Sequence, residues 1–192
     1  MAASGTFEGN YNNSPQIVRL RTAYRKYDDS FPSTEGWYAD LRGRFSAQNV
    51  LGDGSIAFVS PWVLWSDIRG GVNNVNALVT ELQPGAYVEY GTRLEAYKSV
   101  TPWLTVGANV ALARRNFRTD LVPGGTDHRE DTIWSPGATL VFPNLIANQS
   151  DLRLDYKYVD TRSSDSSKSF TDHVASATVV TRFNPFVMQG PR

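Results

Sequence analysis

From Gln16 to Phe183, apolar and polar side chains alternate one for one in segment after segment, and this period of two constrains the chain more than any other feature. Side chains alternate across a strand but recur every 3.6 residues on a helix, so the pattern selects β-structure. Between Gln16 and Asp28, Val18, Leu20, Thr22 and Tyr24 fall on one face, and Ile17, Arg19, Arg21, Ala23 and Arg25 on the other. In the next run Trp37, Ala39, Leu41, Gly43 and Phe45 oppose Tyr38, Asp40, Arg42 and Arg44. One face is greasy and the other is charged. No segment has a helical period of comparable quality, although Val75 to Leu82 has room for a turn or two of helix within a loop.

Six more strands follow. Ser55 to Asp67 is preceded by a tight connection, Asn49 to Gly54, and contains Pro61, which predicts a bulge or register break. In Gly85 to Lys98, Ala86, Val88, Tyr90, Leu94 and Ala96 oppose Tyr87, Glu89, Arg93 and Glu95. From Trp103 to Asn116, Leu104, Val106, Ala108, Val110 and Leu112 make the most continuous apolar stripe. Asp131 to Phe142 places Trp134, Ala138, Leu140 and Phe142 together, with Pro136 as a second expected irregularity. Asp151 to Arg162 sets Leu152, Leu154, Tyr156 and Tyr158 against Arg153, Asp155 and Lys157, and Asp172 to Phe183 completes the set. The expectation is one all-β domain over 1–192, a closed antiparallel up-and-down barrel of about eight strands within 16–183 and flexible ends at 1–15 and 184–192. Thr6 to Tyr11 is left open as one more strand, belonging to the end of a larger barrel.

Such a pattern fits two opposite barrels: a soluble ligand-binding one turns the apolar face inward around a small hydrophobic ligand, whereas a membrane one shows it to lipid and encloses the charges. No apolar run approaches the roughly 20 residues of a spanning helix, so any crossing must be made by strands. Two features favour the membrane. Long polar connections, around Ser30, Val75, Gly125 and Ser166, alternate with shorter ones, as in barrels with long outer loops and short periplasmic turns. Aromatic residues also gather near strand ends, with Trp37, Trp103 and Trp134 opening strands and Phe45 and Phe142 closing them, as at a lipid–water boundary.

The final strand, Ala175 to Phe183, alternates and closes on an aromatic residue, and here the chain resembles the bacterial outer-membrane β-barrel superfamily, whose last strand is read by the assembly machinery. The resemblance covers the strand-and-loop rhythm from Gln16 to Phe183 and is nearest to the small barrels of about eight strands; Asn184 to Arg192 runs on where members usually stop. It implies an outer-membrane location in a Gram-negative cell and contacts with outer-membrane lipid, lipopolysaccharide and the barrel-assembly machinery. It also implies a monomeric, non-enzymatic, porin-like role as a small passive transport channel, or a structural or surface-interaction role. Val18, Leu20, Leu41, Leu104, Val106, Val110, Leu112, Leu140, Leu152 and Leu154 are then expected to face lipid, with Trp37, Phe45, Trp103, Trp134, Phe142 and Phe183 as girdle. Arg19, Arg21, Arg25, Asp40, Arg42, Arg44, Glu89, Arg93, Glu95, Arg153, Asp155 and Lys157 are expected to pair inside a narrow, largely plugged lumen, or else to line the water-filled pore of a larger barrel.

Other functions find little support. Lysine plus arginine equals aspartate plus glutamate at 19 each, so no global positive field exists to hold nucleic acid. The absence of cysteine removes disulfides, thiolate metal sites and cysteine nucleophiles together, and suits passage through an oxidising periplasm. Met1 to Gly5 lacks the basic region and apolar core of a signal peptide, as expected of a mature chain begun on an added methionine. Two histidines each follow an aspartate, Asp127-His128 and Asp172-His173, with Glu130, Asp131 and Ser169 nearby in sequence. They invite a rim hydrolase, but an exposed Asp-His pair is ordinarily loop polarity. No catalytic residue, metal or cofactor is expected. Gly70-Gly71, Gly124-Gly125 and Gly52-Asp53-Gly54 are turn glycines rather than phosphate cradles, because none precedes a helix carrying Lys-Ser or Lys-Thr. Arg114-Arg115 is either an anion or lipopolysaccharide contact or, more ordinarily, a rim pair snorkelling to headgroups.

Overall fold

Alternation at period two produces strands throughout. A computed structural model of the chain describes residues 2–11, 14–25, 36–67, 86–121, 126–147 and 150–181. They form nine strands: β1 Ala2–Tyr11, β2 Ser14–Arg25, β3 Gly36–Gln48, β4 Ser55–Ser66, β5 Tyr87–Thr101, β6 Leu104–Leu121, β7 His128–Ala147, β8 Ser150–Ser163 and β9 Phe170–Thr181. Each pairs antiparallel with its sequence neighbours, so the order in the sheet is the order in the chain. A single 3-10 turn, Ser166–Lys168, is the one helical element among the described residues.

Two expectations are corrected here. The stretch expected to be a flexible N-terminal end is a strand: β1 pairs with β2 from Ala2↔Ala23 to Tyr11↔Ser14. Its alternation is legible once noticed, since Ala3, Gly5, Phe7 and Gly9 share one face and Ser4, Thr6 and Glu8 the other. The sheet is also not the closed eight-stranded barrel, because nine strands lie in a row with β1 and β9 as unpaired edges. Phe183, the tail 184–192, the segment 75–82 and the pairs Gly70-Gly71 and Gly124-Gly125 fall outside the described residues.

The register carries the two faces across the whole sheet. Leu20 stands opposite Leu41, Leu41 opposite Val63, and Val63 opposite Tyr90. Further round, Leu94 meets Val110, Val106 meets Leu140, and Leu140 meets Leu154. All ten residues expected on the apolar face share it. Most of the large ones are exposed, Leu20 to 50% and Leu112 to 48%. Most buried positions within the strands belong to the polar face, among them Asp40, Ser46, Leu64, Phe117, Asp131, Ser135, Thr139 and Thr161, while Ser14, Ser55 and Ser150 are buried at strand starts on the other face. Among the described residues no second layer covers either face, since strands make their main contacts with their neighbours and the 3-10 turn touches β8. A single layer shelters one face only by curling, so the polar face lies inside the curve.

Local chemistry supports the curl. A Cβ on Gly91 would meet Trp62 Cζ2 at 2.4 Å and the Leu112 carbonyl oxygen at 2.6 Å, and one on Gly107 would meet the Tyr97 ring at 2.4 Å. Large rings on the inner face therefore cover glycines on the next strand. Gly52 and Gly54, with φ of 90° and 74°, close the tight β3–β4 connection.

The prolines behave otherwise than expected. Pro61 and Pro136 keep the register of both flanking ladders and leave only a gap in one, between Arg42↔Trp62 and Phe45↔Val59 and between Trp134↔Asp160 and Gly137↔Lys157. The register shifts fall instead between Ser99 and Thr101, Asn116 and Leu121, and Phe142 and Ala147. A missing amide removes one ladder bond but adds no residue, so it interrupts a ladder without displacing it.

Candidate functional site: the charged inner face

The parity that puts leucines outside puts the charges inside. Arg19, Arg21, Asp40, Arg42 and Arg44 share the inner face of β2 and β3, and Glu89, Arg93 and Glu95 that of β5. Arg153, Asp155 and Lys157 occupy the same face on β8. The Arg25 backbone lies in β2 opposite Gly36, and its side chain is outside the described set.

Pairing among these groups is local. Arg42 donates through Nε to both Asp40 oxygens at 2.8 and 2.9 Å, while the Asp40 carboxylate is almost wholly buried. Arg44 lies 3.6 Å from Glu95 and 4.1 Å over the Phe58 ring. Glu89 accepts from Trp62 Nε1 at 2.9 Å and from Arg115 Nε and Nη2 at 2.9 and 2.6 Å. Arg153 forks onto Asp155 at 2.7 and 2.8 Å, and Asp155 also takes the Thr139 hydroxyl at 2.6 Å. Between β2 and β5 the face opens into a cleft of about 500 Å³ lined by Arg19, Arg42, Arg44, Trp62, Glu89 and Arg93, among others. Some of these charges pair with neighbours on the same face, and Arg42 and Arg44 remain half exposed.

Sequence reasoning missed a second cluster on this face, near the ends of β5–β7 that carry the long connections. Arg129 forks onto Asp131 at 2.9 and 2.7 Å and stacks 4.3 Å over Phe117, with Asp131 only 1% exposed. Arg115 lies 4.9 Å over the Tyr87 ring. The signal was available: the period of Thr105, Asn109 and Ala111 runs on to Arg115 and Phe117. Placing the start of the next strand at Asp131 rather than His128 hid Arg129. Arg114 and Arg115, adjacent in sequence, part company, as Arg115 turns inward while Arg114 pairs with Glu130 on the apolar face.

The girdle aromatics are placed unevenly. Trp37 opens β3 and packs 5.2 Å from Tyr24, and Trp103 lies in the β5–β6 turn. Trp134 is six residues into the twenty-residue β7, and Phe142 five residues from its end, so neither marks a strand terminus. Phe45 stands three residues before the end of β3.

The two histidines do not form a joint site. His128 is paired in register with Leu121, whereas His173 sits beside Tyr158 and shares a 2.7 Å hydrogen bond with the Tyr156 hydroxyl. Asp172 accepts the His173 backbone amide at 2.8 Å, and its side chain projects to the opposite face of β9. Among the described residues no group of three histidines and carboxylates is poised to hold a metal ion. What the inner face can do is bind and align charged solutes. No known protein family, curated protein or solved structure matches the chain.

Proposed function

We propose that the chain forms a wall of a transmembrane β-barrel of the bacterial outer-membrane kind, with its charged face turned to an aqueous lumen through which small solutes pass without chemistry. The observation that carries this reading is the inverted amphipathicity: Leu20, Leu41, Val63, Leu94, Leu112 and Leu154 stand exposed on the outside of the curl, while Asp40, Asp131 and Thr139 are buried within it. Monomeric soluble proteins rarely expose contiguous apolar patches beyond a few hundred Å². An apolar band outside a polar interior is what a membrane barrel requires. The alternation of short and long connections agrees, as does Arg162, 82% exposed beside Trp134 on the outer face, where headgroups would lie. A soluble ligand-binding barrel needs the reverse orientation, and a rim hydrolase needs converging histidines. The open edges favour the lining of a larger barrel over a plugged one of eight strands.

The absence of cysteine makes the test direct. Leu112→Cys and Ala111→Cys are adjacent on β6 but project to opposite faces. In reconstituted vesicles, a fluorophore at 112 should be quenched by lipid-borne nitroxide and one at 111 by aqueous iodide. Iodide quenching at 112, with the protein recovered in the soluble fraction, would defeat the membrane reading.

A further inference from the structure

The inner cleft carries more positive charge than its carboxylates offset. Arg19 stands directly opposite Arg42 in the β2–β3 ladder, a position where like charges repel. Arg42 is answered by Asp40 and Arg44 by Glu95, but Glu89 is taken by Arg115, a residue outside the cleft lining. Four arginines of the cleft therefore share two carboxylates, and neither Arg19 nor Arg93 makes an ion pair with a described residue. The bond from Trp62 holds Glu89 further engaged.

We propose that this cleft is a binding site for a multivalent oxyanion, a solute bearing two or more phosphate or carboxylate groups, that bridges Arg19 and Arg93 across Arg42 and Arg44. The planar guanidinium fork matches such oxygens in pairs. Strand spacing puts the backbones of β2 and β5 roughly 14 Å apart along the sheet, a span that one monovalent ion does not fill and a short polyanion does. A bound anion also relieves the repulsion that the Arg19 and Arg42 register builds in. The proposal deepens the lumen reading, since the solute arrives from the aqueous side of the wall.

Calorimetric titration of inorganic tripolyphosphate into the chain folded in zwitterionic detergent at low salt tests it. Saturable binding that weakens as salt rises is expected, with Arg19→Gln and Arg93→Gln each reducing affinity about tenfold. Arg114→Gln, on the opposite face, should bind as the unaltered chain does. Removing Arg19 relieves a like-charge pair, so Arg19→Gln should keep its β-sheet circular dichroism; Arg93→Lys, which preserves charge but not the fork, serves as a second variant and should lose part of the affinity. Absence of saturable binding by the unaltered chain, or equal weakening by Arg19→Gln and Arg114→Gln, overturns the site. The quenching experiment at Leu112 decides the membrane reading separately, so a chain that inserts but ignores tripolyphosphate refutes the anion site alone.

Discussion

Gly91 and Gly107 both lie under aromatic rings, yet the two should not respond alike to an added methyl group. At Gly91 the new Cβ would meet backbone, the Leu112 carbonyl oxygen at 2.6 Å, as well as the Trp62 ring, whereas at Gly107 the closest obstacle is the Tyr97 side chain and backbone stays at 3.4 Å. A side chain can swing aside and a strand cannot, so Gly91→Ala should destabilise by about 1–3 kcal/mol and Gly107→Ala by less, read from urea unfolding in detergent. Equal costs would mean that the rings, not the ladder, set the spacing. Asp165 offers a pH test outside the strands. Its carboxylate accepts from the Ser167 hydroxyl at 2.7 Å and the Ser167 amide at 3.0 Å, capping the 3-10 turn in the polar connection around Ser166. These bonds favour the charged form and hold the carboxyl below the usual aspartate range. Its stabilising effect is in place above the unfolded aspartate pKa and is lost as pH falls through the lower folded value. Carboxyl-carbon NMR should show Asp165 titrating at lower pH than an ordinary aspartate; Ser167→Ala should move that midpoint back up.

Strand existence and facing were legible at the level of elements because one period encodes both. All eight expected strands appear, as β2 to β9, and every residue within them assigned to the apolar or charged face lies on it, while Ala86 falls just before β5. Ends were less legible: β7 begins at His128 and β6 runs on to Leu121, because polar residues beyond the alternating apolar stretch still pair while adding no hydrophobic signal. Trp62 was overlooked as an inner residue, since a tryptophan amid Val59, Val63 and Trp65 reads as apolar and only the register against Arg42 turns it inward. β1 was legible only as the strand left open over Thr6 to Tyr11, and its start was missed, because glycines and small polar residues dilute its alternation. The edges carry a prediction of their own. β9 is exposed along all twelve residues, and each edge strand has ladder bonds on one side only. Hydrogen exchange in detergent should therefore release the outward amides of β1 and β9 well before those of β6 and β7. Uniform protection across nine strands would mean that the edges are paired.

At the scale of the whole molecule, strand number governs closure. Nine strands paired antiparallel in chain order leave β1 and β9 running in the same direction, so joining them directly makes a parallel seam, while an all-antiparallel barrel requires an odd number of further strands. In hydrocarbon each unpaired backbone group costs several kcal/mol, so an open edge cannot face lipid at equilibrium. On the membrane reading proposed above, the chain alone, refolded into a planar bilayer, should bind without steady unitary conductance, because nine strands with two open edges enclose no complete lumen. Thr6→Cys and Thr178→Cys, inner-face positions on the two edge strands, provide the control, and no native thiol competes. They should fail to cross-link within one chain. Steady single-channel steps accompanied by an intrachain cross-link would reveal a parallel seam between β1 and β9 and make the nine strands a barrel in themselves.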